Sequence, residues 1–120
     1  YGAHRYLNNV AYGVCKAAVD KLTADAAVEL KPHGVTVVSL YPGTAATEGM
    51  LAYAAINPTL DVSAMETPQF TGRCVAALAS DAACPAHTGE VLIAAEVAQA
   101  YGITDVNGRQ PVSERERLWQ

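Results

Sequence analysis

From Val10 onward, apolar residues recur at spacings of three and four (Val10, Val14, Ala17, Ala18, Leu22, Ala26), in an alanine-rich run that no Gly or Pro interrupts after Gly13. That period predicts a helix over 10–32. Residues 1–9 carry no period and read as a loop, with Asn8 or Asn9 placed to cap the helix. Pro32 and Gly34 stop it. The pattern then changes character. Residues 35–41, Val-Thr-Val-Val-Ser-Leu-Tyr, are β-branched and apolar without alternation, the mark of a strand buried on both faces of a parallel sheet. Pro42-Gly43 ends that strand. A weaker helical pattern follows over 44–56, then a loop over 57–67. A helix starts at Glu66-Thr67-Pro68, with Pro68 in its first turn, and runs to Ala79. A turn extends through Pro85 and leads to a second strand, Val91–Ala94. A short helix over Glu96–Tyr101 is closed by Gly102. The polar remainder carries an Asn107-Gly108 turn.

Helices alternating with strands in this order predict an α/β fold with parallel strands. Only two strands are legible, and a two-stranded sheet leaves edges and apolar faces uncovered. The remaining strands are therefore expected from elsewhere, and the chain is expected to be part of a larger α/β domain. No internal repeat is visible.

Composition sharpens this picture. A chain of 120 residues suits one domain. Hydrophobic residues at 51% argue against disorder, and charged residues at 17% fall below the usual ~25%, which suggests surface meant for a partner. The net charge is −4 and basic residues are scattered, so nucleic acid is not an expected partner. Arg115 and Arg117 alternate with Glu114 and Glu116 in a solvated end. No apolar run approaches the ~18 residues of a membrane span; association through a further tail stays open. Cys15, Cys74 and Cys84 form no metal-type spacing, and His4, His33 and His87 are dispersed. These features predict reduced thiols, a cytoplasmic setting and no metal. Cys15, without a His partner, reads as a packed helix thiol.

Tyr12 and Lys16 lie four apart at the start of the long helix, which puts them on one face. A free phenol, with a pKa of about 10, is a poor proton carrier at neutral pH. A neighbouring ammonium favours the phenolate. Alone, the spacing is common. Its context is not: Tyr12-Gly13-Val14-Cys15-Lys16-Ala17-Ala18-Val19 is followed by a strand pattern and then by Pro42-Gly43-Thr44-Ala45-Ala46-Thr47. These two linked motifs, Tyr-x-x-x-Lys before small residues and Pro-Gly-x-x-x-Thr directly after a strand, resemble the short-chain dehydrogenase/reductase (SDR) family. The resemblance extends over most of the chain. The stretch from Tyr101 to Arg109 is similar to one branch of the family's dehydrogenase/reductase group.

The resemblance implies the carboxy-terminal part of a doubly wound, parallel Rossmann-type sheet, with the catalytic helix, the substrate lid and the last two strands in 1–120. It implies an NAD(P)-dependent oxidoreductase that moves a hydride between NAD(P)(H) and a carbonyl or alcohol. Tyr12 would be the general acid in reduction and the base in oxidation. Lys16 would hold the nicotinamide ribose hydroxyls and favour the Tyr12 phenolate. Pro42 and Gly43 would bring the backbone close to the nicotinamide, Thr44 would belong to the same cofactor-binding stretch, and Thr47 would hydrogen-bond the carboxamide or phosphate region. Residues 44–67 would form the lid, where Met50, Leu51 and Tyr53 suit an apolar carbonyl substrate. The branch implies NADP, with NAD the alternative. The long helix implies a homodimer in the complete protein. The family's glycine-rich phosphate turn does not occur here, and its active-site serine and asparagine would lie upstream of Tyr1. Two other readings stand beside this one: a non-catalytic SDR remnant that serves as an interaction or dimerisation module, and a simple stable domain without cofactor.

Overall fold

The structure is a computed structural model that describes residues 2–7 and 9–118. The chain divides into two compact units.

The first unit comprises the segment up to Tyr41, Ala79–Leu92 and the segment from Glu114. Its main element is α1, Val10–Leu30, which passes into a 3-10 turn, Lys31–His33. Asn9 Oδ1 accepts the Tyr12 N–H at 3.0 Å, satisfying one of the orphan donors of the first turn. The other expected cap, Asn8, lies outside the described residues. Gly34 ends the helical path in the left-handed region, at φ 69°. Of α1 only Thr23 and Ala27 are buried, while Val10, Leu22 and Val28 are 72%, 66% and 74% exposed.

Strands β1 (Ser39–Tyr41) and β2 (Val91–Ile93) pair in a parallel two-stranded sheet. The strand expected over 35–41 is thus regular only in its last three residues. Before Ser39 the backbone bonds to a loop instead of a ladder. The Val37 N–H goes to Thr88 Oγ1 at 3.1 Å, and its carbonyl accepts the Gly89 N–H at 2.7 Å. Nor is the run buried on both faces among the described residues: Val35 is exposed, and burial in β1 alternates through Ser39 and Tyr41. A short helical turn, α5 (Arg115–Leu118), occupies part of the end expected to be loop.

The second unit comprises Pro42–Leu78 and Ile93–Ser113. Thr47 caps α2 (Glu48–Ile56) by accepting the Met50 N–H at 3.3 Å, and Glu48 puts a negative charge at its positive end. This helix starts later than the pattern over 44–56 suggests, because residues 44–46 are held elsewhere. Thr44 O accepts the Glu66 N–H at 2.9 Å and the Ala46 N–H donates to Glu66 O at 2.7 Å, an isolated parallel bridge. Helix α3 (Pro68–Ser80) turns Phe70, Cys74 and Leu78 inward, a spacing of four that forms one face. Complete burial of a side chain like Phe70 contributes roughly 2–3 kcal/mol. Helix α4 (Ala94–Tyr101) starts directly from β2, two residues before the expected Glu96. It buries Ala94, Ala95, Val97 and Ala98. The Cys74 thiol donates to Ala94 O at 3.4 Å, and Gly102 closes α4 at φ 65°. Among the described residues no helix is long and apolar enough to cross a membrane.

Candidate functional site

Tyr12 and Lys16 share one face of α1. The Lys16 ammonium stands 5.4 Å from the centroid of the Tyr12 ring. Both residues are exposed, Tyr12 at 44%. Gly2 also lies against the ring. A Cβ on residue 2 would collide with Tyr12 Cε1 and lie 2.9 Å from Cδ1. Only glycine lets that backbone lie against the phenol. Gly2 was not singled out by any motif. One turn beyond Lys16, Asp20 ties α1 to β1. Its carboxylate accepts from Ser39 Oγ at 2.8 Å and from the Tyr41 hydroxyl, and His4 Nε2 lies 3.9 Å away. Burial, then the hydrogen bond to Asp20 and its charge, push the Tyr41 phenol far above the usual tyrosine range, so Tyr41 stays protonated. A shallow groove of about 370 Å³ runs past the start of α1, lined by His4, Arg5, Tyr6, Val10 and Val14 among others; neither Tyr12 nor Lys16 lines it.

Pro42, Gly43, Thr44 and Thr47 belong to the second unit. Pro42, Thr44 and Thr47 are exposed, and Gly43 is half-buried. The Gly43 N–H donates to Glu66 Oε2 at 2.8 Å, and a Cβ on residue 43 would lie 2.7 Å from Glu66 Oε1. Glycine at 43 is therefore required by a contact within the chain. This contact stands beside the close approach to the nicotinamide that the family resemblance implies for Gly43.

Sequence reasoning missed the polar residues that brace this turn. Glu66 and Asp105 are 4% and 1% exposed. Asp105 accepts from the Thr67 N–H at 2.8 Å, from Thr67 Oγ1 at 2.5 Å and from the Val106 N–H at 2.6 Å. Burial pushes the Asp105 carboxyl up, but these hydrogen bonds and the Arg109 charge outweigh it and hold the group below the usual carboxylate range. Arg109 donates to the carbonyls of Ser63 and Met65. The carboxylates of 90–116 do have partners beyond the reach of sequence: Glu90 with His87 Nδ1 at 2.7 Å, and Glu96 with Ser113 Oγ at 2.7 Å. Cys15 is exposed, and burial, then the Glu66 charge, push the Cys74 thiol up. Among the described residues no cluster of His, Cys, Asp or Glu is arranged to hold a metal.

Comparison with known proteins shows what the chain is similar to. A model described as short chain dehydrogenase matches residues 1–55, the span that contains Tyr12, Lys16, Pro42, Gly43, Thr44 and Thr47. Over 118 aligned residues the chain is 42% identical to Dehydrogenase/reductase SDR family member 1 of Homo sapiens and 41% identical to the protein of that name from Mus musculus. These matches support an SDR-family fragment. Each alignment takes in 90% of this chain and 38% of the relative, so the chain spans well under half the length of these SDR proteins. The two-stranded α/β arrangement agrees with part of a Rossmann-type SDR fold.

Proposed function

We propose that this chain supplies the proton-transfer residues and the nicotinamide-facing turn of an oxidoreductase acting on a carbonyl or alcohol. The observation that carries the reading is the Lys16 ammonium 5.4 Å from the exposed Tyr12 ring, on the first turns of a helix within the span matched by the family model. The residues present fit the nicotinamide end of NAD(P)(H). Among the described residues no carboxylate pairs with Lys16, which leaves its three donors for ribose hydroxyls. Thr44 and Thr47 are exposed beside the half-buried Gly43. The proposed cofactor is NADP, with NAD the alternative.

In the proposed reaction NAD(P)(H), held by Lys16, Thr44 and Thr47, would supply the hydride chemistry. Tyr12 Oη donates a proton to the carbonyl oxygen during reduction and recovers one during oxidation. Lys16 orients the ribose, with its ammonium 5.4 Å from the centroid of the Tyr12 ring. Asn9 holds the first turn of α1, and Gly2 leaves room for the phenol ring beside it. Residues 44–67, with Leu51, Tyr53 and Ile56 exposed, form the lid over an apolar carbonyl substrate. The complete protein works in the cytoplasm as a homodimer.

A second reading rests on α1 itself, whose exposed Val10, Val14, Leu22 and Val28 suit an interaction module without catalysis. Turnover separates the two. The complete protein is expected to oxidise NADPH in the presence of apolar carbonyl compounds, and Lys16→Met to raise the cofactor KM and lower kcat by about 100-fold together. No carbonyl-dependent turnover with NADPH or NADH would favour the interaction module, and turnover indifferent to Lys16→Met would overturn the role given to Lys16.

A further inference from the structure

Glu66 takes no part in the proposed proton transfer, yet it is among the most buried carboxylates of the described chain. A buried carboxylate is costly unless hydrogen bonds compensate it. Here the compensation runs toward the cofactor-facing turn: Glu66 Oε2 accepts the Gly43 N–H at 2.8 Å. The backbone of Glu66 bridges Thr44 and Ala46 at 2.9 and 2.7 Å. Its sequence neighbours are held in turn. Arg109 donates to the carbonyls of Ser63 and Met65, and Asp105 takes both the N–H and the hydroxyl of Thr67. All of these residues lie in one compact unit.

Resting on the reading that Pro42 and Gly43 face the nicotinamide, we propose that Glu66 is a positioning residue for that face, and that Asp105 and Arg109 act through it. Glu66 draws the Gly43 N–H inward, so this N–H is not offered to the cofactor. The donors left to the ligand are the hydroxyls of Thr44 and Thr47. Thr47 Oγ1 accepts the Met50 N–H and keeps its own proton to give. The segment 105–109 thereby contributes to cofactor affinity through Glu66.

The test combines amide hydrogen exchange at Gly43 with the Kd for NADPH, in the complete protein carrying Glu66→Ala or Glu66→Gln. Glu66→Ala is expected to speed exchange at Gly43 and to raise the Kd, each by about tenfold, as loss of one charge-assisted hydrogen bond would. Glu66→Gln keeps an acceptor oxygen and is expected to recover most of both. The KM for the carbonyl substrate is expected to stay at its wild-type value, which general loosening of the fold would not preserve. Unchanged exchange at Gly43, or an unchanged Kd despite faster exchange, overturns the proposal. A wild-type protein that binds neither NADPH nor NADH overturns the functional reading and this inference with it. Exchange at Gly43 still reports on the Glu66 contact in that case, so the two failures are distinguishable. Where Glu66→Ala does not fold, Asp105→Asn takes its place: a Kd raised about threefold supports the proposal, and an unchanged Kd overturns it.

Discussion

Helices α1 and α4 divide burial and chemistry unequally. Helix α1 has 21 residues, carries Tyr12 and Lys16, and buries two side chains. Helix α4 has 8 residues, carries no candidate chemistry, and buries four. The contrast extends to what surrounds them. Around α4 and α3 lie Phe70, Cys74 and Ile93, with the Asp105–Thr67 bonds and those of Arg109 to Ser63 and Met65 close by in sequence and in the same unit. Around α1 the fixed points are few: the Asn9 cap, the Gly2 contact and the Asp20 bonds to β1. A reactive pair must face a substrate, so exposure of Tyr12 and Lys16 is expected. Exposure of Val10, Leu22 and Val28 has a different meaning. Those side chains gain nothing from water, and their cover is proposed to be a second copy of the complete protein.

The contrast predicts unequal sensitivity. The largest stability effect is expected in the second unit. Asp105→Ala leaves the Thr67 N–H and hydroxyl without their acceptor and should cost about 3 kcal/mol, read by denaturant unfolding. The same group sets the acid response. Because its folded-state pKa is depressed, Asp105 stabilises the fold above the ordinary aspartate pKa of about 4, and this contribution is lost as pH falls through the folded-state value. Unfolding free energy should therefore decline on acidification, and Asp105→Asn should flatten that slope.

Next in size is Gly43→Ala, whose methyl would press on Glu66 Oε1 and cost about 1–3 kcal/mol. In a Glu66→Ala background the cost should shrink, giving a coupling of at least about 0.5 kcal/mol in a double-mutant cycle. Additive costs would mean that the two residues do not touch. The smallest effect is expected on α1. Leu22→Ser, at a position 66% exposed, should change monomer stability by less than about 0.5 kcal/mol. Light scattering on the same variant of the complete protein should show a weakened dimer. A large loss of monomer stability would mean that α1 is covered within the chain, and the contrast between the two helices would fail.

Much of this was legible in the sequence because it is local. The Asn9 cap, the Gly34 stop, Pro68 at the start of α3 and Gly102 after α4 act within a turn of their own positions. The pairing of Tyr12 with Lys16 needs only a helix. What escaped depends on residues far apart in the chain. The Glu66 bond to Gly43 spans 23 residues, Asp105 to Thr67 spans 38, and Arg109 to Met65 spans 44. No period or spacing announces such contacts. The strand over 35–41 was overread for a related reason. Its composition reports a surface suited to burial on two sides, whereas its regular part depends on which neighbour it meets, and among the described residues that is β2 alone.

The central claim is that Tyr12 carries the proton. Its most direct test is single-turnover hydride transfer from NADPH to a carbonyl substrate by the complete protein and its Tyr12→Phe variant, with the Kd for NADPH measured alongside. The account predicts a transfer rate lower by about 1,000-fold, within the usual range for loss of a general acid, and a Kd changed by less than about twofold. Transfer at close to the wild-type rate in Tyr12→Phe would contradict it.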